Sequence, residues 1–179
     1  MLKNSFLVTK RTKLDWKEVI SLKHTAEEIW DIDSVNAKRD WGKLLHLVLS
    51  EIHYLEQKEK IVESFYKLGR CSKEDAERLE ITIDHLLSNK NIAPYFDENW
   101  NVKTEKEILM ENGRTYIPDR LLFAKNTDEV VVIDYKTGVK STDHESQITD
   151  YASALCDMGY ENTKRVLVYI ADEIKVEVL

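Results

Sequence analysis

The chain of 179 residues has only two cysteines, Cys71 and Cys156. Two thiols cannot build a disulfide framework or a four-thiolate cluster, and they read as free thiols in a reducing cytosol. With five glycines and two prolines, long disordered or fibrous segments are not expected. No apolar run approaches membrane-spanning length, and the opening "MLKNSFLVTKRTK" lacks the sustained apolar stretch of a secretory signal. These absences predict a cytoplasmic protein with no membrane partner. A basic balance is missing as well, since the formal net charge is −7. That sign argues against a protein that coats nucleic acid unaided, but not against an enzyme that receives a strand from a partner. A phosphate-cradling loop G-x-x-x-x-G-K-[ST] is also absent. "WGKLL" has the Gly-Lys pair without its flanking requirements, which disfavours ATP hydrolysis by this chain.

What is present divides the chain by pattern. The stretch Trp16–Trp30 is ambiguous between strand and helix. From about Ser34 the run "AKRDWGKLLHLVLSEI" repeats Ala37, Trp41, Leu44, Leu45, Val48 and Ile52 at helical spacing. "QKEKIVESFYKL" predicts a second helix closed by Gly69, and Ser72 with Asp75 caps a third, "AERLEITIDHLL". "NKNIAPYFDEN" is a connector. Beyond Trp100 the period changes. "NVKTEKEILMEN", "RTYIPDRLLFA" and "EVVVIDYK" predict three strands separated by Gly113 and by "KNTD". A helix in "HESQITDYASALCDM" and strands "KRVLVYI" and "IKVEVL" follow. The expected fold is therefore α/β, a mixed sheet flanked by helices. It is read as one domain over residues 1–179, with a mainly helical part over 1–100 and an α/β part over 101–179.

The chemistry concentrates in "IPDR" and "VVVIDYKTG". Residues two apart on a strand share a face, so Asp134 and Lys136 point the same way. A symmetric turn over "KNTD" sets Phe123 opposite Val130 and Asp119 opposite Asp134. Two carboxylates and one ammonium then converge. Opposed like charges on a sheet are destabilising, and a divalent cation with hard oxygen ligands, Mg²⁺ or Mn²⁺, would neutralise both. Such an ion polarises a phosphoryl oxygen and activates water. For a lone D-x-K the ordinary reading is a surface ion pair, so the weight rests on the register.

The pieces "IPDR" and "VVVIDYKTG" resemble the PD-(D/E)xK nuclease superfamily, specifically its RecB-type branch with a restriction-endonuclease-like core. The branch is similar in two further places, "QITDY", with Gln147 and Tyr151, and "WGKLLH", with Gly42 and His46. The resemblance runs from about Trp41 to Leu179. It implies that His46, Asp119, Asp134 and the carbonyl of Tyr135 hold Mg²⁺ or Mn²⁺. It makes Lys136 the catalytic lysine and has Gln147 and Tyr151 support the site or contact the strand. Glu107 matches a commonly acidic position on the first strand, and Glu105 competes for it. Branches built on an iron–sulfur cluster are disfavoured by the cysteine count. The implied activity is metal-dependent hydrolysis of DNA in recombinational repair. The implied partner is a helicase in the same chain or complex that delivers single-stranded DNA, with this chain as the C-terminal nuclease part. A nuclease-fold module that binds DNA or a helicase without cutting is the alternative. Arg114 and Arg120 are open between pairing with acids and touching phosphate.

Overall fold

In the computed structural model the described residues are 37–110 and 113–179. The ambiguous stretch Trp16–Trp30 and the first residues of the helix expected from Ser34 lie outside them. Helix α1 spans Ala37–Glu51. Leu44, Leu45, Val48, Leu49 and, just beyond its end, Ile52 are buried, because that spacing keeps one face turned inward. Helix α2 spans Lys58–Lys67 and stops where Gly69 takes a φ of +68°. There the Gly69 N–H donates to Tyr66 O and the Arg70 N–H to Phe65 O, the paired bonds of a Schellman ending. Helix α3, Lys73–Ser88, begins on Ser72. Its hydroxyl accepts from the Asp75 N–H at 3.0 Å.

Strands β1 (Trp100–Thr104), β4 (Arg120–Ala124), β5 (Val130–Lys136), β6 (Thr163–Ile170) and β7 (Ile174–Val178) form one sheet in the order β1-β4-β5-β6-β7. Helix α4, Thr142–Asp157, crosses from β5 to β6, so that pair is parallel and the other three are antiparallel. The mixed α/β architecture expected from the pattern is the one found. In β5, Val131, Ile133 and Tyr135 enter a large core with α1, α2 and α3, while Val130 and Val132 enter a smaller one with α4. No helix among the described residues is long and apolar enough to cross a membrane.

Two expected strands are each broken in two. "NVKTEKEILMEN" yields β1 and a separate β2, Ile108–Leu109. "RTYIPDRLLFA" yields β3, Thr115–Tyr116, and β4. Strands β2 and β3 pair only with each other. The cause is local. The β1–β4 ladder ends at Thr104 opposite Arg120, and the Glu105 N–H still reaches Asp119 O at 3.2 Å. Beyond that bond the backbone leaves the ladder, and Pro118, whose missing N–H would face β5 opposite Tyr135, closes β4 on its other side. There Glu105 turns to a φ of +49°, a conformation costing a non-glycine residue of order 1–3 kcal/mol.

Candidate active site

The β4–β5 register runs from Arg120 opposite Ile133 to Phe123 opposite Val130. The symmetric turn over "KNTD" is thus present, and its register extrapolates to Asp119 opposite Asp134. Asp119 lies one residue before β4 begins, beyond the paired ladder, where its side chain is freed from strict alternation. Its Oδ2 accepts the Tyr135 N–H at 2.6 Å, and its Oδ1 lies 3.3 Å from His46 Nδ1. Residues 73 positions apart therefore meet at the end of the sheet.

Asp134 is 3% exposed, and its Oδ2 lies 2.6 Å from Lys136 Nζ. Lys136 also donates to Gln147 Oε1 at 2.7 Å, so helix α4 holds the ammonium from the far side. An ammonium has three protons, and these contacts leave one to offer. Burial and the Asp119 charge push the Asp134 carboxyl up to about 6, against the pull of Lys136 and His46. Burial works against a charged His46, but its hydrogen bond to Asp119 and the fields of Asp119, Glu105 and Asp134 outweigh that and raise its pKa. The Tyr151 phenol is pushed up by burial and then by Asp134 and Asp119, which places it in the field of both acids. Its ring meets Tyr116 edge-on at 5.7 Å. An open cleft of ≈ 680 Å³, lined by Thr115, Tyr116, Ile117, His144, Gln147 and Tyr151 among others, runs beside them.

The structure thus brings His46, Asp119, Asp134, Lys136, Gln147 and Tyr151 into one linked neighbourhood. Tyr135 enters it through its amide, while its ring packs in the large core, edge-on to His46. Glu107 is exposed in the break between β1 and β2. Glu105 is the acid that senses the others. The residue is exposed overall, yet its carboxyl end is pushed up to about 7 by burial and then by the Asp119 charge. Among the described residues, no group of three or more His, Cys, Asp or Glu side chains converges as a ready-made metal cage. The donor chemistry nonetheless suits a hard divalent ion: two carboxylates and an imidazole gather at one end of the sheet, and the Asp119 charge opposes ionisation of Asp134.

Two residues named from the sequence have structural roles that the sequence reading did not give. Gly42 faces β5 so closely that an added Cβ would lie 2.6 Å from Thr137 Oγ1. A side chain there would collide with that hydroxyl, one turn before His46, unless Thr137 turned away. Arg120 touches neither acid nor solvent. It is fully buried, donating from Nη1 to Ile52 O at 2.7 Å and from Nη2 to His53 O at 2.6 Å and Tyr95 O at 3.2 Å. No spacing rule announces a buried arginine, because its partners are backbone carbonyls far away in sequence.

Set against known proteins, residues 21–178 match the sequence model of the PD-(D/E)XK nuclease superfamily. The chain belongs to that superfamily, and nuclease-type chemistry with DNA as ligand follows from membership. A comparison with curated proteins finds no match. Among solved structures, the chain is similar to the crystal structure of SSO0001, at 19% identity over 81% of this chain and 77% of that one. The TM-score is 0.33, too low to carry any argument.

Proposed function

We propose that the chain is a metal-dependent deoxyribonuclease of the RecB type that hydrolyses phosphodiester bonds with Mg²⁺ or Mn²⁺. The observation that carries the reading is the register that sets Asp119 and Asp134 at one strand end, with Lys136 held between Asp134 and Gln147. His46, Asp119, Asp134 and the Tyr135 carbonyl would hold the ion, with Glu105 beside them. When bound, it would polarise a phosphoryl oxygen and lower the pKa of the attacking water. Lys136, aimed by Gln147, would present its remaining proton to the water or to charge developing on the phosphate. His46 Nδ1 lies 3.3 Å from Asp119 Oδ1, which sets the imidazole beside the carboxylate with which it would share the ion.

In this reading the helical part carrying His46 and the α/β part form one catalytic domain, because the site takes residues from both. The cleft beside Gln147 and Tyr151 suits a single strand, delivered by a helicase in the same chain or complex during recombinational repair. That partner would supply the electrostatic attraction that an acidic chain lacks.

The test is cleavage of labelled single- and double-stranded DNA with Mg²⁺, Mn²⁺ or chelator, using the wild type, Asp134→Ala and Lys136→Ala. Cutting that needs the ion and disappears in both variants is the expected result. Undiminished cutting by either variant overturns the mechanism. The lack of a ready-made cage among the described residues favours a second reading, a non-catalytic module that binds DNA or a helicase. Calorimetric titration with Mn²⁺ separates the two, since such a module binds none.

A further inference from the structure

Arg120 is adjacent in sequence to Asp119, yet it points into the large core. Strand alternation sends Leu121 to the α4 side and Arg120 and Leu122 to the side of α1, α2 and α3. Its guanidinium is stacked 4.0 Å above the Phe96 ring and donates to three carbonyls. Two of these, Ile52 O and His53 O, lie just past the end of α1. The last turn of α1 has no basic side chain of its own, so Arg120 supplies the cation that a helix C-terminus favours. Burial disfavours this charge and lowers its pKa, which makes the arrangement costly unless the carbonyls are all engaged.

The contacts form a closed circuit. From Arg120 one path goes a single residue back to Asp119. The other goes through Ile52 and His53 to α1 and up the helix to His46, which meets Asp119 again. One turn before His46, Gly42 packs against Thr137, the residue that follows β5. A helix is rigid along its axis, so fixing its end fixes the height of His46 to a fraction of the rise per residue, about 1.5 Å. We propose that Arg120 is the positioning residue that sets His46 against Asp119 and so registers the helical layer to the metal-binding end of the sheet. The proposal rests on the nuclease reading of this site.

Planarity is the essential property. A guanidinium reaches three carbonyls in a fixed fork while lying flat on Phe96, whereas an ammonium is a point charge on a flexible stem. Arg120→Lys therefore keeps the charge and loses the registration. Mn²⁺ affinity, measured by calorimetry on the folded variant, is expected to fall by roughly tenfold or more, as for partners that orient metal ligands. In the cleavage assay kcat falls while KM for DNA holds, because Gln147, Tyr151 and the cleft lie on the other face. Leu86→Ala, in the same core, serves as the control for general destabilisation and should leave Mn²⁺ affinity near wild type. Should Arg120→Lys fail to fold, Phe96→Leu removes the ring beneath the guanidinium and should weaken Mn²⁺ binding by a smaller factor. Wild-type Mn²⁺ affinity in folded Arg120→Lys, or in Phe96→Leu if that is the variant available, overturns the proposal. So does an equal loss in Leu86→Ala. If the wild-type chain binds no Mn²⁺, the nuclease reading falls first and takes this proposal with it. Binding by the wild type with no effect of the variants removes the proposal alone.

Discussion

The two faces of the sheet share strand β5 and use it differently. Toward α1, α2 and α3 it presents Val131, Ile133 and Tyr135, apolar to the end, in a core where even the arginine is fully buried. Toward α4 it presents Val130 and Val132 and then changes to Asp134 and Lys136. Helix α4 changes with it. Ile148, Tyr151, Ala154 and Leu155 cover the apolar part, while Gln147 and the more exposed first turns stand near the acid and the lysine. One face is specialised for holding the fold, and the other keeps a short core and leaves a polar end open. A like-charge pair at that end is a stability cost that the first face is large enough to carry.

Removing the polar end should give the largest effect. Asp134→Ala or Lys136→Ala is expected to lower cleavage by about 10³-fold or more, the scale seen when a transition-state contact is lost. Labelled single-stranded DNA measures the rate. Urea unfolding of Asp134→Ala should show no matching loss of stability, and a parallel loss would erase the division between the faces. The converse change is Leu45→Ala in the large core. It should cost about 2–5 kcal/mol by urea denaturation, reducing cleavage only through the fraction folded.

A third effect is read as a slope against pH. Asp134, raised to about 6, and Glu105, raised to about 7, hold protons in the folded chain that the unfolded chain has released. His46, also raised, is more protonated folded than unfolded. In all three the folded state binds more protons. The metal-free fold should therefore lose stability as pH rises from about 4 to beyond 7. Denaturation midpoints across that range test this, and both Asp134→Asn and added Mg²⁺ should flatten the slope. The smallest effect sharpens the comparison from the far side. Ser72→Ala removes the cap of α3 and should cost about 1 kcal/mol without changing the cleavage rate of the folded protein.

Much of this was legible in the chain itself. The helices, the turn over residues 125–128 and the strand Val130–Lys136 follow from spacing and turn chemistry, and the register that opposes Asp119 to Asp134 follows from the turn. The broken strands were not legible. Their break falls where the β1–β4 ladder ends and Glu105 turns to a positive φ, and neither strand alone contains that information. The choice between Glu105 and Glu107 had the same cause: an uninterrupted strand puts both on one face, while the turn at Glu105 separates them.

By itself the sequence determined the alternation of β5, and with it which face receives an acid and a lysine, because the two-residue period is a property of the backbone. Only the tertiary structure decided that His46 meets Asp119 and that Arg120 is buried beneath the end of α1. These are contacts between segments far apart in the chain, and their geometry is set by how the helical layer packs on the sheet.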